Sequence, residues 1–371
     1  MHSRYENDRR AVMTLDAGGT SLRFGAYRGN RPLTAWIGIP TEAANLDRCL
    51  GNIVRGFRET RDALGEPPVA ISFAFPGPAD YPAGIIGDLP NFPAFRGGVP
   101  LGPLLEDEFG VPVFIGNDGD FFTYGEALAG FLPYVNGLLE RAGSPKRYCN
   151  LFGITIGTGL GGGMVCNGDL VVGDNSCAGE AWILRNRLNP GLHAEEGASI
   201  RAVRRYYAEL SRTGCDDSMK PKAIFEIAMG QREGNQAAAR EAFRRVGTVA
   251  GDVLAQALTL VDGLAVIGGG ISDAHPFFMP ALVDAMNDSY RVDGNAYRRL
   301  VPRALNAEDP EQLAALIHGD VRELKVPGSG RTVKYDQLQR TLVGISKLGT
   351  SNAVAIGACC FALSRLDRSS S

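Results

Sequence analysis

The chain has 371 residues, of which 44% are apolar and 21% charged, with a formal net charge of −3. This length is sufficient for two domains with full cores. The weak negative charge, without basic clusters, argues against nucleic acid or an anionic membrane as a partner. No run approaches the roughly 20 apolar residues of a membrane span, and the N-terminus lacks the apolar segment of a signal peptide. Seven scattered cysteines without a CxxC pair predict a cytoplasmic protein with reduced thiols.

Strands and helices alternate in the first part of the chain, which is typical of an α/β fold. Short runs of β-branched and aromatic residues predict the strands, and two of these runs end at glycine-containing turns. The predicted strands are 11–15, 21–28, 32–39, 68–75 and 111–118, and the predicted helix is 119–132.

The second part repeats this order of elements roughly 140 residues later. In both parts a strand, a glycine turn, a strand, an Asn/Gly turn and another strand follow one another. Residues 293–347 are charged and predict loops, with a β-hairpin near 322–336. The other predicted strands are 148–157, 164–168, 169–173 and 263–272, and the other predicted helices are 196–210, 236–260, one after residue 278, and 351–366.

The segment Gly157-x-Gly159-x-x-Gly162 has the spacing of a dinucleotide-binding fingerprint. That fingerprint must lead into a helix, whose N-terminus receives the pyrophosphate. Here the glycines lead into the hairpin pattern MVCNGDLVV, which argues against NAD binding. A glycine turn between antiparallel strands can still bind phosphate through successive backbone N–H groups.

Three glycine segments each follow an apolar strand, and together they predict a nucleotide site, although each alone is more simply a tight turn. Asp16 at the end of its strand is a candidate ligand of Mg²⁺, directly or through water. The candidate phosphate contacts are Asp16, Gly18, Gly19, Thr20, Thr158 and Gly159, and the candidate sugar or base contacts of the nucleotide are Gly268, Gly269 and Gly270.

An enzyme that transfers a phosphoryl group from a nucleotide to a hydroxyl also needs a carboxylate beside that hydroxyl. Asp118, between a strand and a helix, is the candidate. Its simpler role is a helix N-cap, and Asp120 is the neighbouring alternative. Acidic and amide side chains elsewhere can bind polyols, although a glutamate that opens a helix also favours the helix dipole. The candidate sugar-binding residues are Pro76, Gly77, Asn91, Asn117, Glu180, Glu195 and Glu196.

The motifs DAGGT, FPGP, LPNF, GNDGD, GTGLGGG, AGE and GGGIS occur in an order that resembles the ROK family of sugar kinases and related repressors, from residue 12 to 363. The resemblance implies a two-lobed actin-like ATPase fold with a duplicated βββαβα core and an active-site cleft between the lobes. One lobe would comprise residues 1–122 and 351–368, and the other residues 123–350. It also implies a homodimer or larger oligomer.

The same resemblance implies ATP and Mg²⁺ as cofactors and phosphorylation of a hydroxyl on a hexose or hexose derivative. Asp118 matches the family's catalytic base, and Asn117 a neighbouring sugar ligand. Asn91, Glu180 and one of Glu195 and Glu196 match further hydroxyl ligands.

This chain departs from the family pattern where many members read GEIGH and it reads GEAWI. Ile183 replaces the sugar-binding histidine, and His193 or Trp182 is the candidate substitute. Between Glu180 and Ser199 there is no cysteine and only one histidine, so we expect no zinc site. A non-catalytic sugar-binding regulator or a degenerate kinase is the alternative. The family's repressors carry an N-terminal helix-turn-helix, however, whereas this sequence reaches its first glycine turn by Gly18.

Overall fold

The computed structural model describes residues 4–77, 79–88, 92–212 and 219–369. They form two compact units, the first within 1–133, 169–178 and 348–371 and the second within 134–168 and 179–347. The predicted division after residue 122 differs from this, because it falls inside a helix that the first unit contains whole. No helix within the described ranges is long and apolar enough to cross a membrane.

The elements are labelled in chain order. The strands are β1 (Val12–Ala17), β2 (Ser21–Arg28), β3 (Arg31–Pro32), β4 (Ile37–Pro40), β5 (Ala70–Ala74), β6 (Ala79–Asp80), β7 (Ile85–Ile86), β8 (Val99–Pro100), β9 (Val113–Gly116), β10 (Leu151–Ile156), β11 (Leu160–Cys166), β12 (Asp169–Leu170), β13 (Leu264–Gly268), β14 (Ser289–Val292), β15 (Asn295–Arg298), β16 (Arg303–Asn306), β17 (Val321–Lys325), β18 (Thr332–Asp336) and β19 (Arg340–Ile345). The α-helices are α1 (Leu46–Leu64), α2 (Leu101–Phe109), α3 (Asp118–Leu128), α4 (Phe131–Arg141), α5 (Ile200–Ser211), α6 (Pro221–Met229), α7 (Gln236–Val261), α8 (His275–Met286), α9 (Pro310–His318) and α10 (Thr350–Ser369).

The main sheet of the first unit has the order β3-β2-β1-β5-β9, with β4 also paired to β2. Strands β1, β5 and β9 are parallel, whereas β1 and β2 form an antiparallel hairpin. The predicted strand 32–39 is wrong as one element, since it divides into β3 and β4. There the backbone N–H of Ala26 donates to the Thr34 hydroxyl oxygen at 3.0 Å, and not to a carbonyl of a continuous strand.

Helices α3 and α10 pack closely in the first unit, and α3 begins at Asp118. A Cβ atom at Gly125 would overlap the Ala353 carbonyl, and one at Gly357 would overlap the Phe121 carbonyl. Small residues therefore let the two backbones approach, and α10 in turn packs on β1, β5 and β9 of the sheet. The predicted helix 119–132 is two helices, because the Glu126 carboxylate accepts a hydrogen bond from the Phe131 N–H at 2.7 Å and starts α4 there.

In the second unit the main sheet runs β11-β10-β13-β19-β16, with α5 and α8 packed on α7. Strands β17 and β18 confirm the predicted hairpin, but the prediction of loops over 293–347 is wrong for much of that range. Strand β19 is buried although it begins with Arg340, because the guanidinium donates to Asp336 at 2.7 Å and to the Leu316 carbonyl at 2.8 Å. Because a charged residue begins this buried strand, the apolar pattern that would predict the strand from the sequence is interrupted.

Candidate active site

The carboxyl ends of three parallel strands lie side by side in the first unit. The register pairs Asp16 with Ala74, and Ala74 with Gly116, across β1, β5 and β9. Each strand leads into one of the predicted site segments, Gly18–Thr20, Pro76–Gly77 and Asn117–Asp118, with one residue between β5 and its segment. The structure therefore brings these segments to one edge of the sheet, which is where α/β sheets commonly bind ligands.

The first glycine turn joins β1 to β2. The Gly18 N–H donates to the Ser21 carbonyl at 3.1 Å, and the Thr41 hydroxyl donates to the Gly18 carbonyl at 2.6 Å. Within the described part of the chain, the N–H groups of Gly19 and Thr20 have no acceptor. Two adjacent donors thus remain for an anionic ligand.

Asp16 is half-buried and forms an ion pair with Arg23, which faces it across the β1–β2 hairpin. The Arg23 guanidinium also donates to the Ser351 hydroxyl at 3.2 Å and lies 5.7 Å from the centre of the Trp36 ring. Our sequence reasoning missed Arg23, although the hairpin register would have placed it opposite Asp16.

Asn117 caps helix α3, with its Oδ1 accepting from the Gly119 N–H at 2.7 Å. Asp118 is the first helical residue, so the role of N-cap that we considered for it belongs to Asn117. The Asp118 carboxylate keeps solvent-accessible surface, yet the protein around it removes enough water to raise its pKa, and the charge of Asp16 adds to this. The Gly119 N–H, 2.8 Å from Asp118 Oδ1, acts in the opposite direction. Asp120 is 4% exposed.

The remaining predicted residues of the first unit follow β5 or lie outside the described ranges. Pro76 is half-buried and Gly77 is exposed. The Tyr81 hydroxyl donates to the Phe75 carbonyl at 2.9 Å and so holds the chain just before them. Asn91 lies outside the described residues.

The second glycine turn, Gly157–Gly159, joins the antiparallel strands β10 and β11. This confirms that the fingerprint spacing leads into a hairpin and not into a helix. The Gly157 N–H donates to the Gly159 carbonyl at 2.9 Å. The N–H groups of Thr158 and Gly159 have no acceptor among the residues that the structure describes, so this turn resembles the first.

The third glycine segment, Gly268–Gly270, lies beside the second turn. Strands β10 and β13 are parallel, with Thr155 opposite Gly268. Gly269 has a φ of +96°, and a Cβ atom there would overlap the backbone of Ile156. Only glycine fits this position without strain. The pairing of β10 with β13 brings together two of the three glycine segments predicted for the nucleotide.

Glu195 and Glu196 already have partners within the second unit. Glu195 accepts from the Leu160 N–H at 3.0 Å and from Arg201 at 2.7 Å, so it is attached to the second glycine turn. Glu196 accepts from Arg205 at 2.7 Å and Arg201 at 3.2 Å, and the Arg205 hydrogen bond lowers its pKa. The predicted helix 196–210 begins at Ile200, after a 3₁₀ turn at Ala194–Glu196.

Glu180, Trp182 and His193 form a cluster that also belongs to the second unit. The indole N–H of Trp182 donates to Glu180, and its ring meets that of His193 edge-on, with centroids 5.4 Å apart. The Nδ1 atom of His193 is buried and has no hydrogen-bond partner in the described part of the chain. Trp182 and His193, the two candidates to substitute for the family's sugar-binding histidine, thus contact each other. Ile183, at the position of that histidine in the family pattern, is 57% exposed.

Comparison with known proteins identifies the family. A model described as the ROK family matches residues 12–310. The chain belongs to the ROK family. It is 28% identical to the N-acetyl-D-glucosamine kinase of Vibrio cholerae over 279 residues, which cover 70% of this chain and 84% of that protein.

Two crystal structures of ROK-type kinases resemble this chain. Glucokinase from Parabacteroides distasonis matches with a TM-score of 0.87 and 51% identity over 97% of this chain and 99% of that one. A ROK family glucokinase from Streptomyces griseus, in complex with glucose and AMPPNP, matches in fold with a TM-score of 0.60 and 19% identity over 94% and 98% of the two chains. The predicted sugar-kinase fold of the actin-like ATPase class is confirmed, and the protein is a carbohydrate kinase.

Proposed function

We propose that this ROK protein transfers the γ-phosphoryl group of ATP to a hydroxyl of a hexose or hexose derivative, with Asp118 as general base. The position and environment of Asp118 carry the proposal. It follows β9 at the edge that also carries Asp16, its capping role is taken by Asn117, and its pKa is raised. A raised pKa suits a carboxylate that must accept a proton near neutral pH.

The two glycine turns support phosphate binding. Each presents two successive backbone N–H groups without an acceptor among the described residues, at Gly19–Thr20 and at Thr158–Gly159. Such paired donors bind phosphate oxygens, and they need no rearrangement as charge develops in the transition state. The Streptomyces griseus relative was crystallised with AMPPNP, an ATP analogue, which supports ATP as the donor here.

Asp16 is the residue that would hold Mg²⁺. The described residues contain no group of three or more His, Cys, Asp or Glu side chains arranged for a metal ion. A single carboxylate suits Mg²⁺, which commonly keeps several waters and completes its shell with substrate phosphates. When bound, the ion neutralises phosphate charge. Arg23 holds the Asp16 carboxylate in place from the neighbouring strand.

Within the first unit we assign the acceptor sugar to Asn117 and the neighbouring strand ends, and within the second unit Glu180 is the candidate sugar ligand. Asn117 uses its Oδ1 atom for capping, so its amide nitrogen remains to donate to a sugar hydroxyl. Glu180 is half-buried and held by the Trp182 indole through one oxygen, which leaves the other to accept from a hydroxyl. The named relatives act on glucose and on N-acetylglucosamine, and both sugars are pyranoses with suitable hydroxyl groups.

In the proposed reaction the sugar oxygen attacks the γ-phosphorus while its proton passes to the Asp118 carboxylate. The bond from phosphorus to the bridging oxygen breaks, and ADP leaves. Because the transition state is loose, positioning and charge stabilisation dominate, and the base contributes typically about 10²–10⁴ in rate.

The test is ADP release with ATP and Mg²⁺ across hexoses and N-acetylhexosamines, using the wild-type protein, Asp118→Asn and Asp120→Asn. We expect one sugar to stimulate release, and Asp118→Asn to lower kcat by about 10²–10⁴ while calorimetry still detects sugar binding. Asp120→Asn should retain most of its turnover, and this result would exclude Asp120 as the general base. If Asp118→Asn keeps most of its turnover, the assignment of the base is wrong. Silence of the wild type across the panel, with ATP binding intact, would favour a non-catalytic sugar-binding protein.

A further inference from the structure

The first unit contains a cavity of about 360 Å³ beside the first turn of α3. Asn117 and Asp120 line it from α3, and Arg365 lines it from α10. Phe121 and Phe361 supply apolar walls, with ring centroids 5.2 Å apart. Asp118 is not among the lining residues, although its neighbour Asn117, a proposed sugar ligand, is. Its volume is within the range of small-molecule sites, roughly 300–1,000 Å³.

Arg365 lines this cavity without forming an ion pair within the part of the chain that the structure describes. Its guanidinium lies 4.8 Å from the centre of the Phe361 ring and makes no hydrogen bond or ion pair with any residue in the described ranges. Partial burial, together with the charge of Arg368, lowers its pKa. Removing a charge from water without a partner is unfavourable, and an anionic group placed against the guanidinium would relieve this.

Asp120 restricts the kind of anion that fits. Its carboxylate belongs to a residue that is only 4% exposed, and it lines the same cavity as Arg365. A bare anion would meet the repulsion of this carboxylate, whereas hydroxyl groups can donate hydrogen bonds to it. The aromatic walls suit the apolar face of a sugar ring.

We propose that this cavity binds a hydroxylated anion, either a sugar phosphate or a sugar acid, with its anionic group on Arg365 and its hydroxyl groups on Asp120. Asn117 and Asp120 flank Asp118 in the chain, so a ligand held by them contacts the helical turn that carries the base. Occupancy of the cavity then modulates phosphoryl transfer, and this second step rests on the proposed function.

Binding is measured first, by calorimetry without ATP, so that it does not depend on turnover. The probes are glucose 6-phosphate, glucuronate, glucose and inorganic phosphate. The variants are Arg365→Gln, Arg365→Lys and, as a control, Arg368→Gln, which changes an exposed arginine of the same helix that pairs with Asp169 at 3.1 Å.

We expect glucose 6-phosphate or glucuronate to show a binding event that Arg365→Gln weakens at least tenfold, Arg365→Lys largely restores and Arg368→Gln leaves unchanged. Which of the two anions binds distinguishes a sugar phosphate from a sugar acid. Equal binding to the wild type and Arg365→Gln would overturn the proposal, as would inorganic phosphate binding as tightly as the sugar anions. Either failure would leave sugar-dependent ADP release intact, so it could not be mistaken for failure of the kinase assignment.

Discussion

Replacement of Glu195 tests how the second glycine turn is held. The family resemblance makes this residue a candidate sugar ligand, but the structure gives it a different set of contacts. One carboxylate oxygen accepts from the Leu160 N–H at 3.0 Å, directly after the turn, and the other accepts from Arg201 at 2.7 Å. We therefore predict that Glu195→Ala impairs ATP binding more than sugar binding.

The magnitude follows from the two contacts. A hydrogen bond to a charged acceptor contributes about 1.5–3 kcal/mol. The Arg201 side chain is 52% exposed, so its ion pair contributes less than about 1 kcal/mol. Since about 1.4 kcal/mol corresponds to a tenfold change, we expect the KM for ATP to rise about tenfold or more and the KM for sugar to change by less than about threefold. Glu195→Gln keeps an acceptor for the Leu160 N–H and should have a smaller effect.

The assay is initial-rate ADP release, with ATP varied at saturating sugar and sugar varied at saturating ATP. Glu196→Gln is the matched control, because Glu196 is bonded to Arg205 and Arg201 and not to the turn. A rise in the KM for sugar with an unchanged KM for ATP would refute this reasoning and restore Glu195 as a sugar ligand. Equal effects of Glu195→Ala and Glu196→Gln would show that the contact with Leu160 is unimportant.

Two further predictions concern the base and the third glycine segment. Because desolvation raises the pKa of Asp118, kcat/KM should begin to fall on acidification at a pH above the usual aspartate pKa of about 3.9. A pH–rate profile that stays flat down to that value would contradict this. At this one site the folded state then binds more protons than the unfolded state between the usual and the raised pKa, so Asp118 contributes a fall in the free energy of unfolding as pH rises through that window. The difference in the free energy of unfolding between the wild type and Asp118→Asn, measured by denaturant titration, should therefore change with pH in that window. Gly269→Ala should lower the free energy of unfolding by about 1–3 kcal/mol in urea titrations, because φ is +96° and the added Cβ overlaps Ile156. Gly270→Ala is its control, since the nearest atom to the added Cβ is 3.5 Å away, and equal losses in the two variants would refute the steric argument.

The strand ends and their glycine segments were predictable because they depend on local patterns. An apolar run followed by Gly or Asp indicates a strand and its turn without knowledge of the rest of the chain. Strands β1, β5, β10 and β13 are found where these patterns place them. That the second and third glycine segments lie side by side could not be predicted in this way. It depends on the sheet order, which pairs β10 with β13 across more than a hundred residues.

The partners of the charged side chains were not predictable from local patterns. Glu195 is 35 residues from the amide that it binds, and Arg340 begins a buried strand only because Asp336 and the Leu316 carbonyl neutralise it. A charged residue in sequence argues for an exposed position, and this argument fails when a distant group satisfies the charge. The same limitation hid the buried strand β19 before α10.

The cluster of Glu180, Trp182 and His193 brings together both residues that we predicted as substitutes for the family's sugar-binding histidine. The family resemblance implies that Ile183 stands where many members have a sugar-binding histidine. In the structure Ile183 is largely exposed, while Trp182 holds Glu180 and contacts His193 eleven residues further along. An aromatic ring beside a carboxylate offers a sugar both an apolar surface and a hydrogen-bond acceptor. We therefore propose that sugar selectivity depends on the geometry of Glu180, Trp182 and His193 together, because Trp182 contacts both of the other side chains.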